Sequence, residues 1–268
     1  MSSCFGRRDA QWAHSDVIDR ARRFIYIESP GFGGTRKTYT GTPPGYTRDF
    51  IDQIRARLDN ATGLRVIICT PKLPDFGAGY EPLASNEAED RRTRILSLPD
   101  KQVVSFHPVG FPGRPSRLQS TVVIVDDVWA MVGSSTVRRR GLTFDGGSDL
   151  VFTDTDLVNG RSPAIANFRR QLMAARLGVS AAETNEFGTM PNANFIRLNA
   201  GVEAFSAIRE MLIAGGLGKI ERLWNGELPG VTHIPPDSVS FDVTSPEGQE
   251  FDLASALALS VIGGLGAF

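Results

Sequence analysis

Gln119-Ser120-Thr121-Val122-Val123-Ile124-Val125-Asp126-Asp127-Val128-Trp129-Ala130-Met131-Val132-Gly133-Ser134-Ser135-Thr136 is the stretch that decides the fold. The β-branched run Thr121 to Val125 predicts a strand, Asp126-Asp127 a tight turn, and Val128 to Val132 a second strand paired with the first. Upstream, the chain alternates helical and strand patterns. Ser15 is placed to cap a helix with Val17, Ile18 and Ala21 on its apolar face, feeding a strand Phe24 to Ile27. Thr47 is placed to cap a second helix carrying Phe50, Ile51, Ile54 and Leu58. Gly63 then leads into a buried strand Leu64 to Thr70.

Pro71 to Glu87 reads as a long loop, Arg91 to Leu98 as a helix, Val103 to Phe106 as a strand, and the Pro- and Gly-rich His107 to Ser116 as a second loop. Downstream, Pro163 opens a helix whose face is Ile165, Phe168, Leu172, Met173 and Leu177, with Gly178 as its stop. Alternation of this kind predicts a layered α/β fold with three layers, α/β/α, around a mixed central sheet.

The 268 residues are 41% hydrophobic and 22% charged, with a formal net charge of -1. That is the balance of a chain with a sizeable core and no global basic field to attract nucleic acid or anionic lipid. Cys4 and Cys69 are far apart, and Cys69 lies within an apolar run, so neither a disulfide nor a metal site is expected. Residues 1 to 24 carry no secretory signal pattern, and no run reaches the roughly 18 apolar residues of a membrane span, so a cytoplasmic location is expected, with signal-less export left open.

The quoted stretch also aligns without a gap to the signature H-x-K-x-x-x-x-D-x-x-x-x-x-x-G-S-x-N, and on that basis the chain resembles the carboxy-terminal half of a phospholipase D (HKD) superfamily protein. Asp126, Gly133 and Ser134 match; Gln119 stands at the histidine position, Thr121 at the lysine position and Thr136 at the asparagine position. Three further elements agree in order: Ile25-Tyr26-Ile27-Glu28-Ser29-Pro30-Gly31-Phe32, Arg139 to Leu150, and the helix Phe168 to Gly178. The resemblance covers about residues 12 to 180. It divides the chain into a phospholipase D-like half domain, 1–180, and a helical extension, 181–268, of unassigned role.

The resemblance implies a site shared by two such halves, a nucleophilic histidine, and phosphate held by lysine and asparagine. Glutamine forms no phosphohistidine and threonine carries no charge, so the catalytic steps are expected to be lost and no catalytic residue is assigned. His107 is the candidate substitute nucleophile, set against its reading as a solvated loop histidine; His14 and His233 are weaker. Residual anion contact through the Ser134 hydroxyl and amide is left open. Arg138-Arg139-Arg140 is a candidate contact for a phosphate or an acidic partner, set against its reading as a solvated face; the resemblance implies a turn that helps build the domain. Asp145, Asp149 and Glu28 are by residue type a candidate metal cluster, but the resemblance implies carboxylates that are structural or that steady the partner half, so no metal or cofactor is expected.

Two functions follow. The first is a catalytically degenerate module acting as a scaffold or partner-binding subunit. The second is one half of a split or oligomeric phosphodiesterase or phospholipase whose intact motif lies on another chain. Either predicts a homodimer or a second protein chain covering the motif face, near Phe111, Trp129 and Phe144, with a phospholipid or other phosphodiester as the lesser candidate ligand. The apolar segment Phe251 to Phe268 is expected to dock against protein.

Overall fold

A computed structural model describes residues 9–35, 48–72, 81–110, 113–138, 141–142, 147–185 and 188–223. In chain order the elements are α1 (Asp9–Arg20), β1 (Phe24–Glu28), α2 (Phe50–Asn60), β2 (Arg65–Cys69), α3 (Glu81–Leu96), β3 (Val103–Gly110), β4 (Arg114–Pro115), β5 (Thr121–Val125), β6 (Trp129–Gly133) and β7 (Asp149–Thr153). They continue with α4 (Pro163–Leu177), β8 (Ala182–Asn185), β9 (Gly188–Pro191), α5 (Ala193–Arg197), α6 (Gly201–Ile213), a 3₁₀ turn and β10 (Ile220–Glu221).

One mixed sheet of eight strands, in the order β10-β3-β2-β1-β5-β6-β7 with β4 paired to β3, forms the middle layer of the described residues. β1, β2 and β3 are parallel, whereas β5, β6 and β7 follow β1 in antiparallel succession. Side chains of a strand alternate between faces, and the core divides accordingly. Ile25, Ile27, Val66, Ile68, Val123 and Val125 pack under α1, α2 and the end of α3. Phe24, Tyr26, Ile67, Cys69, Val122 and Ile124 pack under α4, α5 and α6. The expected three-layer α/β/α architecture is therefore present. Asp126 and Asp127, with φ of 53° and 57°, form a left-handed turn closed by the Val128 amide donating to the Val125 carbonyl at 3.0 Å, and the register Val125↔Trp129 leaves residues 126–128 as the loop.

Several local expectations are corrected. Ser15 lies inside α1 rather than at its cap, and its hydroxyl donates to Gln53 Oε1 at 2.8 Å, tying α1 to α2. α2 is capped by Asp49, whose carboxylate accepts from the amides of Ile51 and Asp52; Thr47 lies outside the described residues. The helix expected from Arg91 begins ten residues earlier, at Glu81, inside what reads as loop. β3 runs on through His107 to Gly110, because β4 and β10 give this proline-rich segment hydrogen-bonding partners that the sequence does not reveal. On α4, Phe168 is 38% exposed and Arg169 is buried in its place.

Residues 188–223, assigned by sequence to an extension beyond residue 180, join the same body. Phe195, Leu198, Ala204, Phe205, Ile208, Met211 and Leu212 belong to one buried cluster with β1, β2 and α4, and β10 is a strand of the main sheet. The extension is thus not wholly helical. Phe111, Asp145, Phe144, His233 and the segment Phe251 to Phe268 lie outside the described residues.

Candidate functional site

The motif strand β5 presents Thr121 on the α1–α3 side of the sheet, at its first residue and fully buried. Ser29, just past β1, lies beside it, with Oγ 3.2 Å from Thr121 Oγ1. The Val137 amide donates to Ser29 Oγ at 3.0 Å. Ser29 Oγ accepts from Val137, and either hydroxyl can donate across the contact with Thr121. Thr121 and Ser29 thus form a neutral, fully buried hydroxyl pair. Gln119, two residues earlier, is exposed.

Asp126 takes a framework role. Its carboxylate accepts from the amides of Arg22 (Oδ2, 2.7 Å), Arg23 (Oδ1, 2.8 Å) and Phe24 (Oδ1, 2.8 Å), which fixes the connection from α1 into β1 to the β5–β6 turn. Asp127 is buried and meets the fully buried Arg169 through both oxygens, Nε–Oδ1 at 2.6 Å and Nη2–Oδ2 at 3.1 Å. Arg169 donates further to the carbonyls of Leu198 and Asn199, so a single guanidinium ties the motif turn, α4 and the end of α5 together.

The Gly133–Thr136 turn is equally committed. Ser134 is exposed, but its Oγ accepts from the Ser148 amide at 3.1 Å. Ser135 donates its amide to Asp149 Oδ1 at 3.2 Å and its hydroxyl to Asp149 Oδ2. A Cβ at Gly133 would overlap the backbone of Ser148 and Asp149, which is why glycine stands there. Thr136 Oγ1 accepts from Arg138 Nε at 3.1 Å, and Arg138 Nη1 continues to Glu87 Oε2 at 3.1 Å. Arg138 is therefore not a merely solvated residue of the turn.

Glu87 is buried, and that burial pushes its carboxyl up, against the opposing pull of Arg138 and Arg91. Arg91, also buried, is pulled down to about 10 by burial; it donates to the carbonyls of Pro71 and Lys72, both at 2.7 Å. On the opposite face Glu28, fully buried, accepts from Tyr26 Oη at 2.9 Å and from Arg176 Nη2 and Nε at 2.6 and 3.0 Å. Burial first, and Glu28 second, push the Tyr26 phenol and the Cys69 thiol well above their usual values. A thiol so placed stays protonated and is a poor nucleophile.

His107 is neither in a loop nor solvated. Its side chain is buried in β3, opposite Glu221 of β10, with Nε2 3.2 Å from Glu221 Oε2 but off the line of a good hydrogen bond. Lys72 Nζ lies 3.5 Å from the same oxygen. Burial pulls the imidazole down, with Glu221 opposing. β2, β1 and then β5 follow β3 across the sheet, so three strand spacings, about 14 Å, separate His107 from Thr121. The structure does not bring the two together. His14 is enclosed between Phe50 and Trp129 and is pulled down to about 4 by burial.

Trp129 packs partly buried against the α1–α3 side core. Among the described residues no group of three or more His, Cys, Asp or Glu side chains is arranged to hold a metal ion. No helix there is long and apolar enough to cross a membrane.

Neither a family model nor a curated protein matches this chain. Solved structures similar to it include Nuc of Salmonella typhimurium, a phospholipase D family member. Its identity is 14% and its TM-score 0.39, over 60% of this chain and 82% of that one. NucT of Helicobacter pylori has 16% identity and a TM-score of 0.38, over 55% and 79% of the two chains. The phosphatidylserine synthase of Haemophilus influenzae has 16% identity and a TM-score of 0.37, over 76% of this chain and 42% of that one.

Sequence reasoning missed Glu87, Arg91 and Arg169. The spacing Ile165, Arg169, Met173, Leu177 puts one arginine into an apolar helical stripe, and that signal was readable. Nothing in sequence marks Glu87 or Arg91, because their neighbours are distant in the chain: Gly31 and Arg138 lie against Glu87, and the carbonyls of Pro71 and Lys72 hold Arg91.

Proposed function

We propose that this chain is a catalytically degenerate phospholipase D-like module that works through protein contacts, as a scaffold or partner-binding subunit. The observation that carries the reading is the use of Asp126, whose carboxylate is engaged by three backbone amides. The surviving motif aspartate holds the framework, and the positions of the missing histidine and lysine hold an exposed glutamine and a buried threonine. Phosphodiester cleavage by this family's route needs an imidazole nucleophile and a second imidazole as general acid. His107 lies on the far side of β1 and β2, paired with Glu221, and His14 is enclosed in the core.

The competing reading, half of a split enzyme, draws on the exposure of Gln119 and Ser134, which leaves one rim of the motif open to an intact half on another chain. Single-turnover incubation with a phosphodiester, quenched in base so that phosphohistidine survives and read by intact-protein mass, tests the proposal. An unchanged mass is expected. A phosphoryl-type adduct that disappears in His107→Ala refutes degeneracy.

A further inference from the structure

β7 ends the sheet, pairing with β6 on one side and with no other strand among the described residues. Edge strands of soluble proteins are usually guarded by lysine, proline, a bulge or a covering element. Asp149-Leu150-Val151-Phe152-Thr153 contains neither lysine nor proline, and its register with β6 is unbroken. Its apolar side chains are open on both faces, with Leu150 60%, Val151 44% and Phe152 43% exposed. Leu150 and Phe152 face the α4 side, as their partners Val132 and Ala130 do, and Val151 faces the other way with Met131.

We infer that β7 is a self-association edge, and that its partner is β7 of a second copy of this chain, paired antiparallel about a two-fold axis through Val151. Self-complementarity is the reason to choose a second copy over an unrelated peptide. In that register Leu150 lies opposite Phe152 of the second copy, on one face and at both ends. Val151 lies opposite its own counterpart, and Asp149 lies opposite Thr153, so no like charges meet across the pair. Asp149 also holds Ser135, so pairing here joins the two degenerate motif turns to one continuous sheet, about 14 Å apart along the edge by strand rise. The inference deepens the partner-binding reading, and the two fail separately: a lone monomer removes the edge pairing and leaves the absence of catalysis untouched.

The test is sedimentation or light scattering of the full chain at micromolar concentration, with two variants at the exposed Val151. The wild-type chain is expected to be dimeric. Val151→Lys, which sets two ammonium groups facing each other across the axis, is expected to weaken association about tenfold or more without altering the circular dichroism spectrum. Val151→Cys is expected to give a disulfide-linked dimer on oxidation. A monomeric wild-type chain, a dimer indifferent to Val151→Lys, or a Val151→Cys chain that stays monomeric under oxidation would each overturn the inference, the last two by moving the interface elsewhere.

Discussion

Replacing Asp126 by alanine separates a framework role from a catalytic one. The carboxylate accepts three amides at 2.7 to 2.8 Å, at the point where the end of α1 turns into β1. Each charge-assisted bond is worth about 1.5–3 kcal/mol when lost, but Asp126 is only half-buried, so water recovers part of each. Residue 126 also sits at φ of 53°, where alanine costs about 1–2 kcal/mol and asparagine is tolerated. With solvent reducing each bond to about 0.5 kcal/mol, the three bonds and the φ preference together give about 3 kcal/mol for Asp126→Ala. Asp126→Asn keeps the φ preference and one acceptor; that oxygen can serve Arg23 and Phe24, leaving Arg22 opposed by an NH₂ group, for about 1–2 kcal/mol. Urea unfolding by circular dichroism reads this as a lower midpoint at unchanged slope. An alanine variant within about 0.5 kcal/mol of the wild-type chain would refute the framework role.

Three further outcomes follow from the same contacts. His14 is pulled down to about 4 by burial, below its unfolded value near 6.5, so the unfolded chain takes up the proton first: stability is intact above about pH 6.5 and falls toward pH 4, by about 3 kcal/mol in all. Urea midpoints across that window, compared with His14→Leu, should show a slope the variant lacks. Arg169→Met leaves Asp127 buried and unpaired and is expected to cost about 3–5 kcal/mol, of which Asp127→Asn in the same chain recovers part; the double-mutant cycle measures the coupling. Gln119→His with Thr121→Lys should yield no turnover and a less stable chain, because the lysine would enter the sealed pair with Ser29; denaturation and a chromogenic diester assay check both.

Where periodicity and a local motif coincide, the sequence was readable. The continuous β-branched and aromatic runs Phe24 to Ile27 and Thr121 to Val125, and the gapless spacing from Gln119 to Thr136, place the central strands and the layers they build. What escaped depends on partners distant in the chain. β3 extends past Phe106 because residues 114–115 and 220–221 supply hydrogen bonds to it, and α3 starts at Glu81 inside a segment whose glycines and prolines read as loop. His107 changes from a loop residue to a buried one for the same reason. Arg138 shows the limit in the other direction: its place in an arginine run says solvent, yet its guanidinium bridges Thr136 and the buried Glu87, 51 residues upstream.

The most direct measurement of the central claim is steady-state hydrolysis of a chromogenic phosphodiester, and of phospholipid vesicles, by the purified full-length chain across pH 4 to 9. Degeneracy predicts a rate that does not rise above buffer as protein is added, at any pH and equally in His107→Ala. Turnover proportional to protein, and lost in His107→Ala, would contradict it and return the chain to the enzymes.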